Sequence, residues 1–281
     1  MARPPSIEEA RQWFAEELRA VARLDDPRVV EAFATVPRER FVGTGPWRVL
    51  HLADGYWTTR DADPRHLYHN VLVAIDPARQ LHNGLPSALA QWIEAVDIRA
   101  GDRVLHIGAG LGYYTAILAE LAGPTGSVVG HEVDPALAAR AEAALRPWPG
   151  VRIEASDASA PAGPFDAIFV NAGCTHPRAE WLAALAPGGR LVIPLTARVP
   201  GLPHSIGSMV RVDRRDPRWP ASIVSQVGIY DCVNARDPAL EGELRKLVGF
   251  TAAVKPTVAL VEPHERGAAC LVHLPGFCLQ A

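Results

Sequence analysis

The chain has few cysteines, no excess of basic charge and no long apolar run, and each absence removes a class of protein. Its 281 residues hold only four cysteines, Cys174, Cys232, Cys270 and Cys278, scattered without a CxxC pair. That is too sparse for the disulfide frame of a small secreted domain, so the thiols are expected to be reduced and intracellular. The 28 Lys and Arg are outnumbered by 31 Asp and Glu, giving a net charge of −3. A nucleic-acid face needs a basic stripe, so no nucleic-acid partner is expected. No apolar run is long enough to span a bilayer. The N-terminal MARPPSIEEARQWFAEELRAVARL carries acids where a signal peptide has an apolar core. No membrane partner is therefore expected, and a cytoplasmic location is. No internal repeat or low-complexity linker divides the chain.

What is present is an ordered series of short elements. Residues 6–24 read as a helix: Ser6 and Glu9 make a capping box, and Trp13, Phe14, Leu18, Val21 and Leu24 recur at helical spacing. A second helix starts at Asp26 with Pro27 in its first turn, and a third covers 85–98. Between them, 44–80 mixes turn formers and charges with Trp47, Tyr56, Trp57 and Tyr68, and reads as a substrate-side segment. These aromatics would line a pocket for an aromatic or peptide substrate or, equally, form the core of that segment. From 103 onward strands and helices alternate: strand 103–107, helix 113–122, strand 127–132, helix 135–145, strands 151–155 and 166–171, helix 177–186, strand 189–195. This alternation predicts an α/β fold of parallel strands with right-handed crossovers. Residues 207–215 and 221–233 follow as a hairpin added to the sheet, then a short helix over 238–248 and a closing hairpin from 257–263 and 268–277. One α/β domain with decorated ends is expected. Its parts are residues 1–98 (N-terminal helices and substrate side), 99–233 (cofactor-binding core) and 234–281 (C-terminal helix and hairpin).

The stretch VLHIGAGLGYYT (104–115) carries the chemistry. Glycines at a strand-to-helix turn let a ligand approach bare backbone near the positive end of the helix. A dinucleotide site prefers GxGxxG, but the third position here is Tyr113. Gly108, Gly110 and Gly112 instead match GxGxG, the spacing usual for S-adenosyl-methionine. Glu132 ends the second strand of the series about 20 residues past the glycines, where an acid binds ribose hydroxyls. Asp134 is expected to cap the helix that starts at Pro135. Asp157 ends the third strand, placed to accept from an adenine amino group; the plainer reading is a loop carboxylate. Asn171 lies at the carboxyl end of the fourth strand, where ligands of open α/β sheets bind.

With these residues in view, the chain resembles the protein-L-isoaspartate O-methyltransferase family. AFATVPRERFVG (32–43), RVLHIGAGLGYYTAILAEL (103–121), FDAIFVNAG (165–173) and LAPGGRLVIPL (185–195) resemble its blocks, in the family's order. The resemblance covers most of 28–230, with an insertion around 44–78. It implies a Rossmann-like class I methyltransferase fold: a seven-stranded, mostly parallel sheet with a terminal antiparallel hairpin and a helical N-terminal extension. The implied cofactor is S-adenosyl-L-methionine, held by Leu81, Gly108, Ala109, Gly110, Gly112, Tyr113, Thr115, Glu132, Val133, Asp157, Ala158 and Asn171.

Two departures from the family pattern stand out. Its active-site block has serine, any residue, then proline before a helix, whereas this chain has RQLHNGLPSALA (79–90). Counting back from Pro86 puts Gly84 at the serine position; counting forward from Gln80 puts Asn83 there. Either way the hydroxyl is absent, and Ser87 reads as a first-turn residue. The second departure is His106, where the first strand usually carries an acid. Methyl transfer needs donor and acceptor held in line and water excluded. A carboxylate acceptor arrives ionised, whereas an alcohol, phenol or amine needs a base. His82 and His176 are the candidate bases, and Asn83 the candidate holder of a carboxylate, so His82 and Asn83 are the expected catalytic pair. The pair His66 and His69 lacks a third ligand, so no metal is expected.

Without the serine, the favoured expectation is methyl transfer to a carboxylate or other oxygen of a specialised small molecule or peptide. Isoaspartyl repair with Asn83 in place of serine, N-methyl transfer, and a cofactor-binding protein without catalysis are the alternatives. The acceptor is the expected partner, with a homodimer left open.

Overall fold

The computed structural model describes residues 3–51, 54–248 and 256–281. Residues 1–2 of the N-terminal segment, 52–53 of the 44–80 segment and 249–255 of the tail lie outside the described residues.

Helix α1 (Ile7–Ala22) starts as its capping box requires, with the Ser6 side chain accepting from Glu9 N and the Glu9 side chain accepting from Ser6 N. Helix α2 (Pro27–Thr35) is capped by Asp26. The 44–80 segment, read as substrate-side, holds with the residues just after it a small antiparallel sheet of β1 (Arg48–His51), β2 (Gly55–Thr58), β3 (Leu72–Asp76) and β4 (Leu81–His82), in the order β2-β1-β3-β4. Helix α3 (Pro86–Val96) follows, its first turn satisfied from a distance: Ser87 N donates to Asn70 Oδ1 at 3.0 Å and Asn70 Nδ2 to Ser87 Oγ at 2.9 Å. Ser87 is thus a first-turn residue, as read.

The core alternates β5 (Arg103–Ile107), α4 (Tyr113–Ala122), β6 (Ser127–Glu132), α5 (Pro135–Ala144), β7 (Val151–Ala155), β8 (Phe165–Val170), α6 (Ala179–Ala184) and β9 (Leu185–Ala197). Strands β7-β6-β5-β8-β9 are parallel neighbours in that order. The order reverses between β6 and β8 about β5, so the carboxyl end of β5 is the switch point at which such sheets bind ligands. Strands β10 (Ser205–Asp213) and β11 (Trp219–Ile229) add antiparallel. The result is a doubly wound parallel sheet extended at one edge by antiparallel strands.

Three elements differ from the sequence reading. The strand expected over 221–233 stops at Ile229, because the chain crosses to the loop after β8: Gly173 N donates to Tyr230 O and Cys232 N to Gly173 O. After the short α7 (Glu241–Leu244), the expected closing hairpin is rearranged. Gly276, at φ +69°, turns the chain inside 268–277, so β13 (Cys270–Leu274) pairs with β14 (Phe277–Gln280). Strand β12 (Val258–Leu260) joins β11 to β14. Among the described residues the sheet therefore has ten strands, three more than expected. No helix among the described residues is long and apolar enough to cross a membrane.

One apolar cluster on one face of the sheet runs from Phe14, Leu18 and Phe33 through Ile93 and Ile117 to Phe169. It fixes the N-terminal helices over α4. Fully buried Arg38 ties this layer to the loop before β3, donating to the carbonyls of Leu67 (2.7 Å), His69 (3.1 Å) and Val71 (2.9 Å).

Candidate active site

The turn between β5 and α4 is built on positive φ: +82° at Gly108, +58° at Gly110 and +90° at Gly112. The three glycines answer different needs. A Cβ at Gly108 would stand 3.0 Å from Asn171 O, and one at Gly112 would stand 2.7 Å from Leu145 Cδ1, so both permit packing. A Cβ at Gly110 would meet nothing within 4 Å. Its backbone borders open space.

Glu132, buried at the end of β6, reaches this turn. Its Oε2 accepts from Gly110 N at 2.8 Å and its Oε1 from Asp134 N at 3.0 Å. Two backbone N–H groups fix the carboxylate and leave about two of its four lone pairs free, enough for a vicinal diol. Asp134 caps α5, as read, and pairs with Arg79 at 2.7 Å. Val133 is half-exposed beside it, Asn171 is half-buried under Gly108, and Ala109 is buried with its N–H on His131 O. Ala158 is buried and its carbonyl accepts from Trp181 Nε1. Asp157 Oδ1 accepts from Ser159 N at 2.9 Å, and its Oδ2 from the Asn234 side chain. Asn234 was not visible as a site residue; only the crossing after β11 brings it here.

Two expected contacts face elsewhere. Tyr113 is fully buried among Phe33, Phe41 and Tyr114 under the Arg38 guanidinium. Thr115 is also buried, its Oγ1 2.9 Å from His106 Nδ1. These side chains organise the wall behind the glycines. His106 is enclosed, stacked on Phe169, and its Nε2 has no hydrogen-bond partner.

Burial pushes the His106 imidazole down to about 3 from an ordinary 6.5. The unfolded chain therefore takes up a proton near pH 6.5 that the folded chain refuses until about 3. Stability is complete above 6.5 and falls below it, by about 1.4 kcal/mol per pH unit for this group. His106→Gln, which can keep the Thr115 bond, is expected to flatten the acid limb of urea midpoint against pH. Identical limbs in both proteins would contradict this.

The 79–84 segment lies beside α4 and the start of α5, held by Tyr114 and Asp134. Tyr114 OH, two residues past Gly112, donates to Gly84 O at 3.3 Å. Leu81 and His82 form β4, both half-buried. His82 Nε2 lies 2.5 Å from Tyr56 OH and Nδ1 lies 3.1 Å from Tyr230 OH. Tyr230 OH also donates to Gln80 O. Its oxygen thus accepts from His82 Nδ1–H, which leaves Nε2 to accept from Tyr56. Burial, with a smaller effect of His204, lowers the His82 pKa, and burial raises those of both phenols, Tyr230 to about 12. The three rings are neutral near pH 7, and neither His82 nitrogen is free. Asn83 is buried and its Nδ2 has no hydrogen-bond partner. His176 is half-buried, with Nδ1 3.0 Å from Thr175 Oγ1, in a groove with Arg178, Asn234 and Asp237. His66 Nε2 is held by Asp61 at 2.8 Å.

The model of the protein-L-isoaspartate(D-aspartate) O-methyltransferase family matches residues 9–200, which carry nearly all of these groups. The chain belongs to the protein-L-isoaspartate O-methyltransferase family. It is 33% identical over 222 residues to protein-L-isoaspartate O-methyltransferase 1 of Rhodopseudomonas palustris, covering 75% of this chain and 80% of that one. It is 37% identical over 200 residues to the enzyme of that name from Anaeromyxobacter sp., covering 67% and 82%. Two solved structures share the fold. A protein-L-isoaspartate O-methyltransferase has TM-score 0.65 at 20% identity, over 84% of this chain and 70% of that one. A Plasmodium falciparum candidate for the same family, solved with S-adenosyl-L-homocysteine, has TM-score 0.58 at 16% identity, over 79% and 97%.

As a member of this methyltransferase family, the chain is an S-adenosyl-methionine-dependent methyltransferase. Its own residues fit that cofactor. The open backbone at Gly110 and the anchored, half-satisfied Glu132 carboxylate suit a nucleoside, and Tyr113 stands where the dinucleotide pattern has its last glycine.

Proposed function

We propose that this chain is a carboxyl O-methyltransferase whose acceptor is an isoaspartyl side chain carried by a peptide or protein. When bound, S-adenosyl-methionine supplies a sulfonium methyl group open to displacement by an acceptor oxygen. Glu132 holds the ribose, Asp157 and Val133 flank the adenine, and the backbone at 108–112 admits the methionine part. Asn83 positions the acceptor carboxylate.

The observation that carries this reading is the Asn83 amide: a buried N–H donor without a partner, in the 79–90 segment that resembles the family's active-site block. An unpaired buried donor costs about 1–3 kcal/mol, and an arriving carboxylate oxygen would recover it. The neutral Tyr56–His82–Tyr230 stack supports the same acceptor. A carboxylate needs no base, and a histidine with both nitrogens engaged by phenols is suited to shaping the mouth of the site. The relatives' names favour the isoaspartyl acceptor over the specialised one expected from the missing serine.

The test is incubation with methyl-labelled cofactor and a peptide in isoaspartyl and aspartyl forms. Base-labile label is expected on the isoaspartyl form alone. Asn83→Ala should lower kcat/KM by about 10- to 100-fold, with S-adenosyl-homocysteine affinity unchanged. A wild-type enzyme that binds S-adenosyl-homocysteine yet leaves the isoaspartyl peptide unlabelled would refute the acceptor.

A further inference from the structure

We propose that His264, Cys270, His273 and Cys278 form a closed four-ligand zinc site that pins the C-terminal hairpin to the methyltransferase core. These residues lie outside the 9–200 family match. One ligand atom from each lies within 4.8 Å of all the others.

The backbone explains how they meet. In a regular strand Cys270 and His273, three residues apart, would point to opposite faces. The register of β13 against β14 shifts between Cys270 and Val272, so one extra residue is accommodated there and the alternation is reset. Cys270 then lies opposite Gln280 and His273 opposite Cys278, all on one face of the pair. Val272 and Leu279, opposite each other on the other face, are buried in the core. His264 enters from the loop before β13.

The donors are set up as ligands. His264 Nδ1 lies 3.1 Å from Glu262 O, which places the proton on Nδ1 and leaves Nε2 free, 3.5 Å from Cys270 Sγ. Tetrahedral zinc, with bonds of about 2.3 Å to sulfur and 2.0–2.1 Å to nitrogen, spaces its ligand atoms about 3.3–3.8 Å apart. The Cys270–His264 pair already stands at that separation. Gly267 N, at 3.3 Å, and Gln280 Nε2, at 3.8 Å, donate to Cys270 Sγ and would stabilise a thiolate. His273 Nδ1 is buried without a partner, and its ring stands at 89° to that of His264, centroids 4.9 Å apart. Glu243 of α7 accepts from His273 N at 3.4 Å and pairs with Arg266 and Lys246, tying the cluster to the core. Two imidazoles and two thiolates suit zinc and exclude the oxygen-seeking calcium and magnesium. Four protein ligands leave no open position, so the role is structural.

The sequence pattern predicts no metal, because the pair His66 and His69 lacks a third ligand. The bulge that aligns these four is invisible in the sequence.

The test is metal content of the intact chain, refolded with zinc chloride after chelation. One zinc per chain is expected, and cobalt in its place should give the intense visible bands of tetrahedral thiolate coordination. His264→Ala, at a half-exposed ligand, should weaken zinc binding about 10- to 100-fold, and His264→Cys should restore it. Wild-type protein that binds S-adenosyl-homocysteine but takes up no zinc would overturn the proposal. So would a Cys270–Cys278 disulfide in metal-free protein, copper(I) as the sole tight ligand, or octahedral cobalt spectra.

Discussion

Gly110→Val is expected to weaken S-adenosyl-homocysteine binding by at least about 100-fold while the chain still folds. The reasoning turns on which glycine is open. Gly110 has φ +58°, and a Cβ built there meets no atom within 4 Å. A side chain there would therefore start into open space beside the turn rather than against the protein. Its backbone cost is that of one non-glycine residue in the left-handed region, about 1–2 kcal/mol. Gly112→Ala gives the contrast. At φ +90° its Cβ would lie 2.7 Å from Leu145 Cδ1 and 3.3 Å from Ala141 Cβ, so the damage falls on α4 against α5. Calorimetry with S-adenosyl-homocysteine and thermal unfolding, run on both variants, separate the effects. The first should lose ligand and keep most of its stability; the second should lose stability. Unchanged affinity in Gly110→Val would mean that the cofactor does not lie against this turn.

Arg38→Leu is expected to cost about 4 kcal/mol, a large share of the stability of a typical domain. The guanidinium is wholly buried and donates to three carbonyls in the loop that leads into β3. It also lies over the rings of Phe14 and Tyr113, at 5.8 and 5.9 Å from their centroids. Leucine fills part of the volume but leaves Leu67, His69 and Val71 without their donor, and each unsatisfied buried group costs about 1–3 kcal/mol. Arg38→Lys should be milder but not neutral, since an ammonium cannot match the planar fork. Urea unfolding of the three proteins checks this; a loss below about 1 kcal/mol in Arg38→Leu would show that the loop finds other donors.

His106 and Asn83 share a physical signature, a buried polar atom with no partner, but the signature means different things at the two places. His106 is sealed behind Thr115 and Phe169, where its effect is on acid stability. Asn83 stands next to Gly84, whose carbonyl accepts from Tyr114 at the start of α4, and its acceptor-holding role is the one proposed above. Neither difference is written in the residue types.

The residues alone determined much of the parallel core, because its signals are local. Apolar runs of strand length alternating with helical periodicity fix β5 to β9, and Ser6, Asp26 and Asp134 mark helix starts through bonds two or three residues long. The GxGxG turn and Glu132 were legible for the same reason. A β–α turn and the next strand's end are adjacent in any parallel sheet, so spacing of about 20 residues is enough to join them. Tertiary structure alone decided the rest. Tyr230 meets His82 across 148 positions and Asn234 meets Asp157 across 77, because the chain leaves β11 for the β8 loop. Tyr113 and Thr115, expected as cofactor contacts, are buried in the layer that α1 and α2 cover over α4. The His264–Cys270–His273–Cys278 cluster depends on one shifted register. Periodicity reports which face a residue prefers within its own element; which elements share that face is set by the long-range pairing of strands and helices.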